Sequence, residues 1–110
     1  MKQNDNDTIF ASSSQLKSAI KIIRITGNKA KKIPQIFNFK KPIPRTFVLR
    51  KLINKKKIID HVPVVWLPKN KSFTGEDTYE IYIHGSVVIE KLIYKALSSY
   101  KDFRLADPGE

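Results

Sequence analysis

The sequence predicts an α+β fold: a mixed, mainly antiparallel sheet of about five strands with two or three helices packed on it. Three observations carry that expectation. Apolar and polar residues alternate with a period of two in several separate stretches, most clearly at Thr78-Tyr79-Glu80-Ile81-Tyr82-Ile83-His84. One later segment, Val88, Ile89, Leu92, Ile93, Ala96 and Leu97, has the spacing of a helix instead. A length of 110 residues with 41% hydrophobic residues suits one domain with one core.

Taken in order, residues 7–12 (Asp-Thr-Ile-Phe-Ala-Ser) read as a first strand, broken by Ser12-Ser13-Ser14. Residues 19–26 form a second, with Ile20, Ile22 and Arg24 on one face and Lys21, Ile23 and Ile25 on the other. An arginine sharing a face with two isoleucines is costly to bury without an anion or an acceptor, although its flexible stem can also carry it to solvent. Gly27 ends this strand, and Asn28 is placed to cap a helix over residues 29–37, shortened or bent by Pro34. After the basic, proline-containing connector 40–44, residues 45–53 and 58–67 make a hairpin around the turn Asn54-Lys55-Lys56-Lys57. Pro63 cannot donate to a ladder, which points to an edge or a bulge. Trp66 shares a face with Val62 and Val64 and reads as a core anchor, while His61 reads as a surface or interface histidine.

A loop over residues 68–72 leads to the central strand, 78–84. Tyr79, Ile81 and Ile83 are fit for the core; Thr78, Glu80, Tyr82 and His84 occupy the other face. That second face is either a solvated outer surface, the default for antiparallel sheets, or the polar wall of a ligand site. Ser86 caps a helix ending near Ser98, and residues 103–106 form a last short strand.

The composition excludes several functions. With no cysteine, there are no disulfides, thiolate zinc sites or cysteine nucleophiles. No apolar run is long enough to span a membrane, and the polar start Met1-Lys2-Gln3-Asn4-Asp5 lacks a secretory core, so a cytoplasmic location is expected. The phosphate-loop pattern G-x-x-x-x-G-K-[ST] is nowhere present, so the chain is not expected to hydrolyse GTP itself. The net charge of +11, from 21 Lys and Arg against 10 Asp and Glu, has two readings. It attracts polyanions such as RNA, and it also matches the lysine, isoleucine and asparagine bias of an AT-rich coding sequence.

The stretch Ser72-Phe73-Thr74-Gly75-Glu76-Asp77-Thr78-Tyr79-Glu80-Ile81-Tyr82-Ile83-His84-Gly85 resembles the signature of the tRNA modification GTPases, the MnmE/TrmE family, in their N-terminal folate-binding domain. Three further stretches agree in order: Asn6-Asp7-Thr8-Ile9-Phe10-Ala11, Ile23-Arg24-Ile25-Thr26-Gly27, and Arg104-Leu105-Ala106-Asp107-Pro108-Gly109-Glu110. Residues 29–57 match poorly, and the usual second glycine after His-Gly is Ser86 here.

The resemblance implies that residues 1–110 are an N-terminal folate-binding and dimerisation domain, without the helical and GTPase domains with which family members continue. It implies tetrahydrofolate binding, as 5-formyltetrahydrofolate or another reduced folate, with Arg24 and Glu80 as cofactor-binding residues and no catalytic or metal-binding residue. A further family lysine lies past residue 110. The implied process installs an aminomethyl or carboxymethylaminomethyl group at carbon 5 of the wobble uridine of tRNA. Its implied partners are tRNA, a second copy of the chain in a homodimer and a flavin-dependent modification protein. GTP, magnesium and potassium would belong to the full-length protein only. Two other readings of the residues stay open: a freestanding basic RNA-binding module, and a folate-dependent one-carbon protein resembling the aminomethyltransferases.

Overall fold

The computed structural model describes residues 7–14, 20–69 and 75–108. Six strands build one sheet where about five were expected: β1 (Thr8–Ser14), β2 (Ile20–Thr26), β3 (Val48–Asn54), β4 (Lys57–Leu67), β5 (Thr78–His84) and β6 (Phe103–Leu105). Their order across the sheet is β3-β4-β5-β2-β1-β6. Every pairing is antiparallel except β1 with β6, which is parallel. A 3-10 helix (Ala30–Lys32) runs into a short helix α1 (Ile33–Phe37), and a longer helix α2 (Val87–Ser98) precedes β6.

Both helices sit on one face of the sheet. Ile33, Ile36 and Phe37 of α1 and Ile93, Ala96 and Leu97 of α2 join one core with Phe10, Ile23, Ile25, Leu52, Val62, Val64, Trp66, Tyr79, Ile81, Ile83 and Phe103. Those strand residues are the inward set of the period-two pattern, so alternation has decided which face is covered. Tyr79 is buried and stacks on Trp66 with ring centroids 4.7 Å apart, and Lys41 lies over the indole at 5.5 Å. Trp66 is a core anchor.

Several local expectations need correction. The three serines do not break β1: Ser12, Ser13 and Ser14 pair with Ile23, Ile22 and Lys21. Pairing with a confident neighbouring strand outweighs the loop-like composition of the triplet. Asn28 caps nothing. The 3-10 helix starts after Lys29 without a side-chain cap, and α1 begins afresh with Pro34 in its first turn, where a missing N–H is harmless. Residues 45–47 precede β3, because Arg45 takes a positive φ of 62° and turns the chain. The bulge falls at Leu52/Ile53, opposite Asp60 and Ile58, and not at Pro63, which takes the expected edge position instead. Only Val64–Leu67 of β4 pairs with β5, so Pro63 stands just outside that ladder and its missing donor goes unneeded.

Ser86 does cap α2, its hydroxyl accepting from the Ile89 N–H at 3.3 Å. The apolar stripe of α2 is narrower than its spacing suggested, however, since Val88 and Leu92 are exposed. Tyr94 packs inward against Phe10, and Glu90 turns to the sheet to accept from the Ser12 hydroxyl at 2.5 Å and from Lys21 at 2.9 Å. The Ser12 hydrogen bond, aided by Lys21, holds the Glu90 carboxyl below its ordinary pKa. Among the described residues no helix is long and apolar enough to cross a membrane.

Candidate functional site

The helix-free face of the sheet carries the residues of interest. Its centre is Glu80, on β5 between β2 and β4, opposite Arg24 on one side and Val65 on the other. A carboxylate buried to this degree (7% exposed) is tolerable only with partners for its oxygens. It has two. Arg24 Nε donates to Glu80 Oε2 at 2.8 Å, and the Tyr82 hydroxyl donates to Oε1 at 2.8 Å. All three side chains face the same way because β2 and β5 pair in register, Arg24 with Glu80, and because Tyr82 lies two residues along the same strand.

The arrangement is polarised. Arg24 is half exposed, and its only hydrogen bond is through Nε, so its terminal N–H groups have no protein acceptor among the described residues. A carboxylate has about four acceptor positions and a guanidinium five donors. The pair therefore still offers donors and acceptors side by side after bonding to each other. Burial, reinforced by the hydrogen bond to Glu80 and its charge, pushes the Tyr82 phenol up to about 12, so it stays protonated and donating at neutral pH. The Phe47 ring meets Tyr82 edge to face at 4.8 Å and is itself largely exposed, laying a flat apolar surface beside the polar group. Beyond Glu80, the buried hydroxyls of Thr26 and Thr78 share a hydrogen bond at 3.3 Å. His84, at the far end of the strand, is exposed, as is His61 on β4.

Arg24 and Glu80 are thus in direct contact. Phe47 escaped sequence reasoning, since it falls in a segment that reads as strand and reaches Tyr82 only through the turn at Arg45. Tyr82 was legible as a polar-face phenol, though its bond to Glu80 was not. Among the described residues, no cluster of three or more His, Asp or Glu gathers to hold a metal ion.

A second feature ties the sequence motifs together at one end of the sheet. Arg104 Nε pairs with Asp7 at 2.8 Å, the Lys29 N–H donates to the Thr8 hydroxyl at 2.9 Å, and the Gly27 N–H donates to the Asp77 carbonyl at 2.9 Å. Each of the four motif stretches contributes at least one of these groups. Ser72, Phe73 and Thr74, with Asn6, Gly109 and Glu110, lie outside the described residues.

Comparison with known proteins shows the family. The sequence model of the family described as "GTP-binding protein TrmE N-terminus" matches residues 8–110. The chain belongs to this family. It is 39% identical over 107 residues to the tRNA modification GTPase MnmE of Anaplasma marginale (strain St. Maries), covering 94% of this chain and 24% of that protein. Against the protein of the same name from Wolbachia sp. subsp. Drosophila simulans (strain wRi), identity is 43% over 110 residues, covering 97% and 24%. The MnmE of Rhodopseudomonas palustris (strain HaA2) is 40% identical over 113 residues, covering 100% and 24%. The chain corresponds to the N-terminal domain of these proteins and spans about a quarter of their length.

Proposed function

We propose that this domain binds a reduced folate at Arg24 and Glu80 and serves a GTPase that modifies the wobble uridine of tRNA. The observation that carries the reading is the buried Glu80 carboxylate, held at a fixed position by Arg24 and Tyr82 on a sheet face without helices. A pterin presents an amino-pyrimidinone edge that needs paired acceptors and donors, and a fixed carboxylate beside a guanidinium provides both. The exposed Phe47 ring next to Tyr82 suits the flat ring system, and the terminal N–H groups of Arg24 suit an anionic or carbonyl oxygen. When bound, the folate would supply the one-carbon unit. The residues here would bind and orient it, Tyr82 keeping its proton and so keeping the carboxylate in place.

Two further parts of the reading extend beyond the site. Self-association of the chain is supported by the exposed Ile20, Phe47 and Leu49 on the helix-free face, together with the small size of the core. GTP hydrolysis, with its magnesium and potassium, would belong to a separate domain, and tRNA and a flavin-dependent protein would be the partners of the whole.

The test is a titration with 5-formyltetrahydrofolate followed by pterin absorbance or fluorescence. A charge-assisted hydrogen bond contributes about 1.5–3 kcal/mol, so Glu80→Gln should weaken binding roughly ten- to a hundredfold. Tyr79→Leu, a core change, should lower stability without that selective loss. Equal folate affinity for wild type and Glu80→Gln would overturn the assignment.

A further inference from the structure

On the helical side of the sheet, the 3-10 helix and α1 meet the α2–β6 connection around a cavity of about 300 Å³. Its walls include Lys29, Lys32, Gln35, Tyr100, Lys101 and Phe103. One of the three lysines is neutralised: Lys29 Nζ pairs with Asp102 at 2.6 Å, and this bond, with the lysine's charge, holds the Asp102 carboxyl below its ordinary pKa. The other two, Lys32 and Lys101, are exposed and form no ion pair among the described residues, although the Lys101 charge also acts on Asp102. Tyr100, also on the cavity wall, is about two-fifths exposed, its ring steadied by the edge of Phe103 at 6.4 Å. Two exposed cations lining the same cavity as an accessible aromatic ring suit a phosphate next to a flat heterocycle, and the volume is at the small end of ligand sites.

The cavity also opens a longer basic track. No Asp or Glu occurs between Asp7 and Asp60, a stretch that includes the 3-10 helix, α1, β3 and the β3–β4 turn. The fold draws this stretch together. Asn54 Nδ2 donates to the Ile36 carbonyl at 3.2 Å and Asn38 Nδ2 to the Ile53 carbonyl at 3.0 Å, pinning the hairpin tip against α1. Lys29, Lys31 and Lys32 at one end of α1 are thereby joined to Lys55, Lys56 and Lys57 at the other. Ile36, at the junction, also lines the cavity.

We propose that this cavity seats one nucleotide of a single-stranded RNA segment, its phosphate on Lys32 and Lys101 and its base on the Tyr100 ring, with the adjoining backbone following α1 to the hairpin lysines. The site rests on the reading that RNA is the macromolecular partner of the domain. It does not depend on the folate site, which lies on the other face of the sheet.

Fluorescence anisotropy with a labelled single-stranded RNA oligonucleotide, repeated over a range of salt concentrations, tests it. Each phosphate contact on a single strand contributes about 0.7 to the slope of log affinity against log salt, so the Lys32→Ala/Lys101→Ala pair, which releases the one phosphate they share, should flatten that slope by roughly 0.7. Tyr100→Ala should weaken binding about 5- to 150-fold, the range for loss of one stacked base, while Tyr100→Phe should remain within about twofold of wild type. The matched pair Lys91→Ala/Lys95→Ala, on exposed positions of α2, removes the same charge and should leave the slope nearly unchanged. Circular dichroism confirms that each variant is folded. No RNA binding by the wild type would sink both this site and the partner reading. Binding that Lys91→Ala/Lys95→Ala weakens as much as Lys32→Ala/Lys101→Ala would sink the site alone. So would full displacement of the strand by uridine monophosphate at equal concentration, which would make the free nucleotide the ligand.

Discussion

Replacing Gly27 by alanine tests how tightly the end of the sheet is assembled. A Cβ on Gly27 would lie 2.7 Å from the Thr8 Cα and 2.8 Å from its Oγ1. Carbon atoms in contact prefer about 3.5–4.0 Å, so Thr8 would have to retreat by roughly 1 Å. It is poorly placed to do so. Thr8 is fully buried, its N–H donates to the Asp102 carbonyl at 2.7 Å, and its hydroxyl accepts from the Lys29 N–H. Overpacking of this kind costs about 1–3 kcal/mol. The φ of 143° adds backbone strain of roughly 1–3 kcal/mol for a residue with a side chain. The total, about 2–6 kcal/mol, is a large share of the roughly 5–15 kcal/mol that stabilises a small domain. It corresponds to a fall in Tm of roughly 10–40 °C. Gly75→Ala is the matched control: its φ is 73°, yet among the described residues nothing lies within 4 Å of the added carbon, so the strain alone is expected to apply. Thermal and urea unfolding of both variants separates the two contributions. A Gly27→Ala protein melting within a few degrees of wild type, or no lower than Gly75→Ala, would refute the reasoning.

Two other perturbations have definite signs. In the β3–β4 hairpin, Lys55 and Lys56 both take positive φ, 51° and 66°, in a two-residue turn that normally uses Asn-Gly. Lys56→Gly relieves one strained residue, partly offset by the extra freedom of glycine in the unfolded chain, and should raise stability by about 0.5–1 kcal/mol in urea unfolding. The Tyr82 phenol has a folded pKa near 12, above its ordinary 10.0, so its stabilising contribution is complete below about pH 10 and lost as the pH climbs through about 12. Thermal melts across that window should show a steeper decline for wild type than for Tyr82→Phe; parallel declines would mean that folding does not raise the Tyr82 pKa.

How much was legible in the sequence depends on the range of the forces involved. Alternation placed Glu80 on the polar face of β5 and Arg24 on a face of β2 with Ile20 and Ile22, since side-chain direction in a strand is a local property. Their mutual contact depends on register between strands 56 residues apart, which local pattern does not encode. The same distinction explains β1, where serines that read as a break are held by pairing with β2 and by Glu90. On α2, the helical period correctly implied Ile93, Ala96 and Leu97 as core, yet it could not show that Glu90 and Tyr94 would take contacts left by Val88 and Leu92. The hairpin was legible in position, and its left-handed lysines were not, because nothing in the residue type favours them. Tyr100 likewise looked unrelated to the lysine-rich middle of the chain until β6 closed beside β1.

That closure has a consequence for synthesis on the ribosome. Among the described elements, strand β1 is made first, yet its outer neighbour β6 comes last, and the Asp7–Arg104 pair links residues 97 apart. At about 5–20 residues per second, β1 waits roughly 5–20 s with one hydrogen-bonding edge open after leaving the tunnel. An unpaired edge is a template for another chain. Nascent polypeptides on one message carry the same exposed strand in close succession, so slowing translation between α2 and β6 should lengthen the time available for capture by a holding chaperone or by a neighbouring copy.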